Sequence, residues 1–187
     1  MQVDTPLPMP RKVSLIPTSH LDLFWLGDYR RCLSRGDEVL GHYIGRCLQH
    51  LDETFQVDTV IFLEHFLDSY PEREAEVRRL FAEGRLEVGA AYVDRWENLV
   101  CGETLIRNIQ IGQQVLAKRL GLRTRLVIHP DLPGLNTQMA QICAQSGIDF
   151  YVTARKMFQE GRIWRLRGPD GSGLVVMTWP MFYVFVP

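Results

Sequence analysis

The chain has 187 residues, of which 46% are hydrophobic and 23% are charged, and its formal net charge at pH 7 is -1. A length in the range of about 100–200 residues with this composition is typical of one globular domain, or of a piece of a larger one. The near-zero charge excludes the basic excess of a nucleic-acid-binding protein, so we expect no nucleic-acid partner.

Cysteine spacing, hydropathy and the first residues disfavour four further classes of protein. The four cysteines are widely spaced and form no C-x-x-C pair, which argues against a zinc ribbon and against a redox motif. No stretch reaches the roughly 18 apolar residues that a membrane helix needs. The first ten residues lack the basic and apolar regions of a secretion signal. We therefore expect no membrane contact and a cytoplasmic location.

Strands and helices alternate along the first half of the chain. Residues 1–11 contain three prolines and are predicted to form an extended arm ahead of the folded part, 12–187. The apolar pattern then predicts a strand at about 12–17, an amphipathic helix over 36–51, a buried parallel strand over 58–63, a charged helix over 71–82 and a strand over 85–93.

The second half continues the alternation. It predicts a helix over 102–120 that stops at Gly121, a strand over 124–129, a turn over 130–134, a helix over 137–146, a strand over 149–153, and a hairpin that pairs 163–166 with 174–178. Regular alternation of this kind predicts an α/β fold, in which helices cover a parallel sheet and functional loops gather at the carboxyl ends of the strands.

Residues His20 and Asp22 follow the first apolar run of the chain. In an extended segment, side chains two residues apart point to the same side, so an imidazole and a carboxylate would meet at the end of a strand. One nitrogen and one oxygen ligand make half of a metal site. The alternative is that the two residues cap the helix that follows.

Five polar residues, including this pair, fall at the same predicted edge of the sheet. They are His20, Asp22, Asp94, His129 and Asp131. Three separate strands contribute them, which favours a functional site, although polar residues also crowd into every loop. The apolar and aromatic run over 177–187 either docks on the sheet or indicates that the chain is a fragment of something larger.

Seven short motifs, in order, carry a resemblance to a known family. They are His20-Leu-Asp22-x-x-Trp25, Tyr70-Pro-Glu72, Glu83-Gly-Arg-Leu-Glu-Val-Gly89, Gly102-Glu-Thr-Leu-Ile-Arg107, Pro130-Asp131, Ser146-Gly-Ile-Asp-Phe-Tyr-Val-Thr153 and Gly168-Pro-Asp-Gly-Ser172. Together they resemble the N-terminal catalytic domain of the glycoside hydrolase family 38 α-mannosidases. The resemblance implies an incomplete β/α barrel similar to the polysaccharide deacetylases, with 12–187 as the N-terminal part of a truncated glycosidase domain.

The resemblance also implies a chemistry, which is retaining hydrolysis of α-mannosides with one zinc ion. In the family the ion is held by the H-x-D pair, by a later aspartate and by a distant histidine, which makes His20 and Asp22 the first two ligands here. In retaining hydrolysis one carboxylate attacks the anomeric carbon and a second serves as acid and then base. Trp25 would offer its face to a sugar ring, or else lie buried in the core.

The chain departs from the family at the nucleophile, which is also the third zinc ligand. Trp96 stands at that position, and tryptophan can do neither task. Asp94 has the same parity along an extended segment and is the candidate replacement, with an ordinary loop aspartate as the alternative. Asp131 matches the carboxylate after the fourth strand and is the candidate acid/base, or else a turn former. Glu103 and Arg107 are expected to form an i,i+4 ion pair.

Three hypotheses follow from this comparison. The first is an α-mannosidase-like hydrolase that acts on a mannose-containing oligosaccharide and needs missing C-terminal domains or an oligomer partner, because the distant histidine ligand has no counterpart here. The second is an inactive carbohydrate-binding or scaffolding relative that has lost its nucleophile at Trp96. The third is a metal hydrolase like the polysaccharide deacetylases. With two of four ligands absent or displaced, we expect low zinc occupancy.

Overall fold

The computed structural model describes residues 16–131, 134–154 and 163–179. The predicted extended arm over 1–11 lies outside these residues. So do most of the predicted first strand and most of the apolar run over 177–187.

The described residues form seven strands and five α-helices, and helices separate the first five strands from one another. The strands are β1 (Thr18–Ser19), β2 (Phe55–Val57), β3 (Leu86–Val88), β4 (Leu126–His129), β5 (Phe150–Thr153), β6 (Ile163–Arg167) and β7 (Gly173–Thr178). The helices are α1 (Tyr29–Gln49), α2 (Val60–Ser69), α3 (Glu74–Ala82), α4 (Gly102–Leu120) and α5 (Met139–Gln145). A single 3₁₀ turn at Pro71–Arg73 leads into α3.

The strands form two sheets that lie side by side. One sheet has the order β1-β2-β3, and the other has the order β4-β5-β7-β6. All neighbours pair in parallel except β6, which is antiparallel to β7. A backbone hydrogen bond from Ala90 N to Leu126 O, 2.7 Å long, joins the two sheets. The predicted α/β fold with parallel strands is confirmed, and within the described ranges the arc of strands is open.

Gly89 permits the close approach of chain segments at the junction between the sheets. A Cβ at this position would lie 2.3 Å from the carbonyl oxygen of Asp58 and 3.1 Å from the amide nitrogen of Ile128. Any larger residue would push β2 and β4 away from β3. The glycine that closes the Glu83–Gly89 motif therefore sits at the junction between the two sheets.

One predicted element is wrong. The run over 58–63 was expected to be a strand, whereas the strand is β2 and the apolar run belongs to helix α2. Six of the ten residues of α2 are buried, so the helix is covered on most of its surface. A helix of this kind lacks the polar face that would reveal its period, and a short apolar run then cannot be told from a strand.

Helix α1 begins earlier than predicted. Asp28 caps it by accepting a 2.9 Å hydrogen bond from the backbone nitrogen of Arg31, so the helix starts at Tyr29. Other predictions are confirmed within a few residues, including α3, α4, α5, β5 and the β6–β7 hairpin pair. Glycine ends α4 as expected, because Gly121 takes the left-handed conformation with φ 68°.

Helices α1, α2 and α3 cover the first sheet with one apolar cluster, and α5 packs on the second sheet around Tyr151. Helix α4 contributes buried side chains to both clusters. The strands are short, and their buried residues hold each strand in place in the sheet. This placement determines which residues lie at the carboxyl ends of the strands. In the described ranges, no helix is both long enough and apolar enough to cross a membrane.

Candidate active site

Four acidic or imidazole side chains come from the carboxyl ends of four successive strands. His20 directly follows β1, Asp58 directly follows β2, Asp94 lies in the loop after β3, and Asp131 lies two residues beyond the end of β4. Because the strands run in parallel, these ends meet at one edge of the arc. The structure therefore brings His20, Asp94 and Asp131 together, as the sequence led us to expect.

The imidazole of His20 lies between four carboxylates. On one edge of the ring, Nδ1 is 3.4 Å from Oδ2 of Asp58 and 4.0 Å from Oδ2 of Asp94. On the other edge, Nε2 is 3.5 Å from Oδ2 of Asp22 and 3.7 Å from Oδ2 of Asp131. Burial lowers the pKa of His20, but the contact with Asp58 and the surrounding negative charges outweigh it, so the pKa is raised overall.

Asp58 is a site residue that the sequence analysis missed. Its carboxylate is 2% exposed, and Oδ1 accepts a 2.7 Å hydrogen bond from the hydroxyl of Thr18. The backbone nitrogen of Asp58 donates to Oγ of Ser19 at 3.3 Å. Burial raises the pKa of Asp58 to about 6, against the opposing contacts of His20 and Thr18. Asp58 was missed because the strand was predicted too late in the chain. The strand ends at Val57, so Asp58 is the first residue after it.

Asp94 contacts a second histidine. Its Oδ1 lies 3.5 Å from Nε2 of His129, and burial raises the pKa of Asp94 although His129 and His20 oppose the shift. His129 is fully buried at the end of β4, and its Nε2 accepts a 3.0 Å hydrogen bond from Arg95. Its Nδ1 lies 2.8 Å from the hydroxyl oxygen of Tyr151. Both ring nitrogens of His129 therefore have polar partners inside the protein, and the ring also borders the site.

Glu97 and Tyr151 complete a buried network behind Asp94. The hydroxyl of Tyr151 donates to Oε1 of Glu97 at 2.6 Å, and the backbone nitrogen of Asn136 donates to Oε2 at 3.1 Å. Burial raises the pKa of Glu97, but contacts with His129 and Tyr151 outweigh it, so the pKa is lowered. The network of Glu97 and Tyr151 was not predicted from the sequence, because its partners are far apart in the chain.

The two tryptophans of the predicted site are exposed. Trp25 is 62% exposed and Trp96 is 57% exposed, so Trp25 does not lie buried in the core. The segment around Trp25 turns sharply, because Phe24 and Leu26 both take positive φ values, 64° and 56°. Trp96 points to solvent between two buried neighbours, and no carboxylate occupies its position. The role of Trp25 toward a substrate stays a prediction.

The Glu103–Arg107 pair is an ordinary surface contact. Nε of Arg107 lies 2.7 Å from Oε1 of Glu103, and both side chains are more than half exposed. This confirms the expected i,i+4 ion pair on α4.

The side chains around His20 suit a divalent ion by donor type. Ligand atoms bonded at 2.0–2.2 Å to a tetrahedral zinc ion are about 3.3 Å apart, and Nε2 of His20 is 3.5 Å from Oδ2 of Asp22. Two buried oxygens, Oδ2 of Asp58 and Oδ1 of Asp94, accept no hydrogen bond from the described residues. However, the carboxylates divide between two edges of the ring. Accordingly, no three His, Cys, Asp or Glu side chains of the described ranges surround one point.

A cavity lies at the opposite end of the strands. Its volume is about 770 Å³, and its walls include Phe55, Leu86, Leu126 and Phe150, the first residues of four strands. None of the site residues lines it. The carboxyl edge, and not this cavity, therefore carries the candidate chemistry.

Comparison with known proteins identifies the family. A family model described as the glycosyl hydrolases family 38 N-terminal domain matches residues 10–183. A putative mannosylglycerate hydrolase of Halalkalibacterium halodurans is 27% identical over 91% of this chain and 21% of its own length. An alpha-mannosidase of Saccharomyces cerevisiae is 37% identical over 50% of this chain and 9% of its own length.

Solved structures show the same fold. An alpha-mannosidase from Enterococcus faecalis V583 superposes with a TM-score of 0.74 at 22% identity, over 87% of this chain and 19% of that one. A 4-alpha-glucanotransferase from Thermococcus litoralis superposes with a TM-score of 0.60 at 14% identity, over 88% of this chain and 27% of that one. The chain spans about a fifth of the first of these relatives. Since the family model covers most of the chain, the chain belongs to the glycosyl hydrolase family 38 N-terminal domains.

Proposed function

We propose that this chain is the zinc-binding front part of an α-mannosidase-like hydrolase, which cleaves mannose-containing oligosaccharides with retention of configuration. The observation that carries the proposal is the convergence of Asp22, Asp58, Asp94 and Asp131 on the ring of His20. Membership of family 38 supports the reaction class. Residues 12–187 then form the N-terminal part of the glycosidase domain.

Two carboxylates, Asp94 and Asp131, share the chemistry in this proposal. Asp94 lies beside Nδ1 of His20 and Asp131 beside Nε2, so they flank the ring from opposite edges. In the first step, Asp94 attacks the anomeric carbon, and Asp131 gives its proton to the departing glycosidic oxygen. In the second step, Asp131 takes a proton from water, whose oxygen displaces Asp94 from the sugar. Asp94 leaves as a free carboxylate, and Asp131 is protonated again.

His20 and Asp22 would hold the ion. When bound, zinc supplies positive charge that binds sugar hydroxyls and favours the oxocarbenium-like transition state. The side chain of Asp22 is 39% exposed, so this carboxylate can be reached from solvent. The exposed face of Trp25 provides an apolar surface against which a sugar ring can stack.

One observation favours a second candidate, an inactive relative that binds carbohydrate. Trp96 occupies the position at which the family has its nucleophile, and its side chain is turned to solvent. If Asp94 does not replace the nucleophile, the exposed tryptophans could still bind a glycan without cleaving it. The two candidates differ in whether binding leads to hydrolysis.

Hydrolysis of an aryl α-mannoside by a zinc-loaded, longer version of the chain that includes the C-terminal domains tests the proposal. We expect activity that disappears in Asp94→Asn and falls by about 10²- to 10⁴-fold in Asp131→Asn, because the latter loses its general acid. Asp52→Asn is the matched control, since Asp52 is exposed and away from the strand ends. Binding of a mannose oligosaccharide without hydrolysis would support the second candidate. If the protein shows no binding and no hydrolysis, both candidates are contradicted.

A further inference from the structure

Arg95 and Glu97 turn inward from the loop that follows β3, while Trp96 between them faces solvent. Arg95 is 8% exposed and Glu97 is 1% exposed, so the loop buries a guanidinium and a carboxylate together. Nη2 of Arg95 lies 3.9 Å from Oε1 of Glu97. Because a charged side chain is costly to bury, the contacts of Arg95, the residue next to Asp94, indicate what it does.

Arg95 directs its hydrogen bond at His129. Its Nη1 lies 3.0 Å from Nε2 of His129, and among the described residues neither Nε nor Nη2 has a hydrogen-bond partner. Arginine can donate hydrogen bonds but cannot accept them. Nε2 must therefore be the acceptor, which places the proton of the His129 ring on Nδ1.

The contacts on the other edge of His129 agree with this proton position. Nδ1 lies 2.8 Å from the hydroxyl oxygen of Tyr151, and that hydroxyl donates its own hydrogen to Glu97 at 2.6 Å. The Tyr151 oxygen can therefore accept the proton on Nδ1. The four side chains form one series of hydrogen bonds, in which each group donates to the next, from the cation Arg95 to the anion Glu97.

Asp94 competes with Arg95 for Nε2 of His129. Its Oδ1 lies 3.5 Å from Nε2, compared with 3.0 Å for Nη1 of Arg95. A ring with its proton on Nε2 would donate toward Asp94, but that proton would point at an N–H group of Arg95. Although Oδ1 of Asp94 is buried, it accepts no hydrogen bond from the described residues. Arg95 thus occupies the ring nitrogen that could otherwise donate to Asp94.

We propose that Arg95 is a positioning residue, which fixes the proton of His129 on Nδ1 and thereby keeps the ring from donating a hydrogen bond to Asp94. Such a bond would stabilise the charge of the carboxylate before it attacks, and this charge is lost in the transition state, so the bond would slow the reaction. Arg95 acts through His129 and not on the reacting atoms. The inference rests on the role of Asp94 in the proposed function.

Arg85 provides a matched control for Arg95. It is 9% exposed, and its Nη1 donates to the backbone oxygens of Cys47 and His50. It directly precedes β3, whereas Asp94 lies beyond the other end of that strand. Arg85→Met therefore reproduces the loss of a buried guanidinium without touching His129. Arg95→Lys is a second control, because lysine also donates hydrogen bonds and accepts none.

The first test locates the proton on His129. Long-range ¹⁵N NMR of the whole chain at pH 7 distinguishes the two ring nitrogens, and circular dichroism confirms that each variant is folded. We expect the proton on Nδ1 in the wild type, in Arg85→Met and in Arg95→Lys. In Arg95→Met, Nε2 should become protonated, because Asp94 remains beside it.

Two results of this experiment would overturn the inference. One is a wild-type ring that carries a proton on Nε2, and the other is an Arg95→Met ring that keeps its proton on Nδ1 alone. The wild-type measurement needs no variant, so the inference can be overturned even if Arg95→Met does not fold.

The second test asks whether Asp94 draws the proton to Nε2. Asp94→Ala combined with Arg95→Met removes both competitors for this nitrogen, while Tyr151 and Glu97 still face Nδ1. The proton should then return to Nδ1, and the difference between the single and double variants measures the coupling of Asp94 to the ring. A proton that stays on Nε2 in the double variant would overturn the inference.

Hydrolysis of the aryl α-mannoside by the longer version of the chain gives the functional readout. Arg95→Met should lower kcat by about 10-fold or more with little change in KM, and Arg95→Lys should restore most of it. An unchanged kcat in Arg95→Met would overturn the inference. If the wild type does not hydrolyse the mannoside but the proton is on Nδ1 as expected, the hold of Arg95 on His129 stands and the proposed function fails.

Discussion

Asp58 is a buried carboxylate, and its ionisation should lower the free energy of unfolding. Its pKa in the folded chain is about 6, compared with 3.8 for an ordinary aspartate, because burial disfavours the charged form. The folded state therefore holds the proton more tightly. The stabilising effect of this shift is complete below about pH 3.8 and is lost as the pH rises through about 6.

Replacing this carboxylate should stabilise the metal-free chain at neutral pH. Asparagine keeps an oxygen that can accept the hydrogen bond of Thr18 but carries no charge. A rise of about two in the pKa corresponds to about 3 kcal/mol. Asp58→Asn should therefore be more stable than the wild type by up to about 3 kcal/mol at pH 8, and similar to the wild type at pH 4. Urea unfolding at both pH values, with a chelator present, measures the difference. An equal difference at the two pH values would contradict the account.

The hydroxyl of Tyr151 bridges two buried groups. It donates to Oε1 of Glu97 and lies 2.8 Å from Nδ1 of His129, and all three side chains are almost inaccessible to solvent. Tyr151→Phe removes the hydroxyl and leaves Glu97 and His129 without this hydrogen-bond partner. The free energy of unfolding should therefore fall by about 1–3 kcal/mol. Chemical denaturation measures the loss. Tyr70→Phe is the control, because Tyr70 is 42% exposed, and an equal effect of both substitutions would contradict the assigned role.

At the scale of the element, helix α4 lies unusually close to the segment that follows β3. A Cβ on Gly112 would lie 2.0 Å from the carbonyl oxygen of Ala90, so no side chain fits between them. Alanine is favoured over glycine within a helix by about 1 kcal/mol, but displacement of α4 should outweigh that gain. We expect Gly112→Ala to lower the free energy of unfolding by about 1–3 kcal/mol.

Gly45 on α1 is the matched control for this substitution. A Cβ there would meet nothing within 4 Å, so Gly45→Ala should stabilise the chain by about 0.5–1 kcal/mol. Thermal unfolding of the two variants compares them directly. A stabilised Gly112→Ala variant would show that α4 does not pack as closely as described.

Elements with terminal signals could be predicted from the sequence. Gly121 marks the end of α4, and a glycine- and proline-containing turn marks the β6–β7 pair, so both were found. Helix α2 was missed because burial on most sides removes its period. That error also placed Asp58 at the amino end of a predicted strand, whereas it follows the carboxyl end of β2, and this hid it as a candidate site residue.

The site itself could be predicted where a residue lies in the loop that follows a recognisable strand. His20, Asp94 and Asp131 meet this condition and come together. The network of Glu97 and Tyr151 depends on a contact between residues 54 positions apart, which no local pattern encodes. Tertiary contacts of this kind become visible only when the strands are placed side by side.

On the scale of the whole molecule, zinc should stabilise the folded chain. The account places the ion on His20 and Asp22, which are held together only while β1 is paired with β2, so the ion binds the folded state. Zinc at a hundred times its dissociation constant should add about 2.7 kcal/mol to the free energy of unfolding. A thermal shift assay measures the change, and His20→Ala should abolish it. A shift that survives in His20→Ala would place the ion elsewhere.

The central claim is that His20 and Asp22 project together from the end of β1 and share one ion. The most direct measurement is an anomalous difference map from a zinc-soaked crystal of this chain. The account predicts one peak about 2.0–2.2 Å from Nε2 of His20 and from a carboxylate oxygen of Asp22. No peak at this edge, or a peak on the Nδ1 side between Asp58 and Asp94, would contradict it.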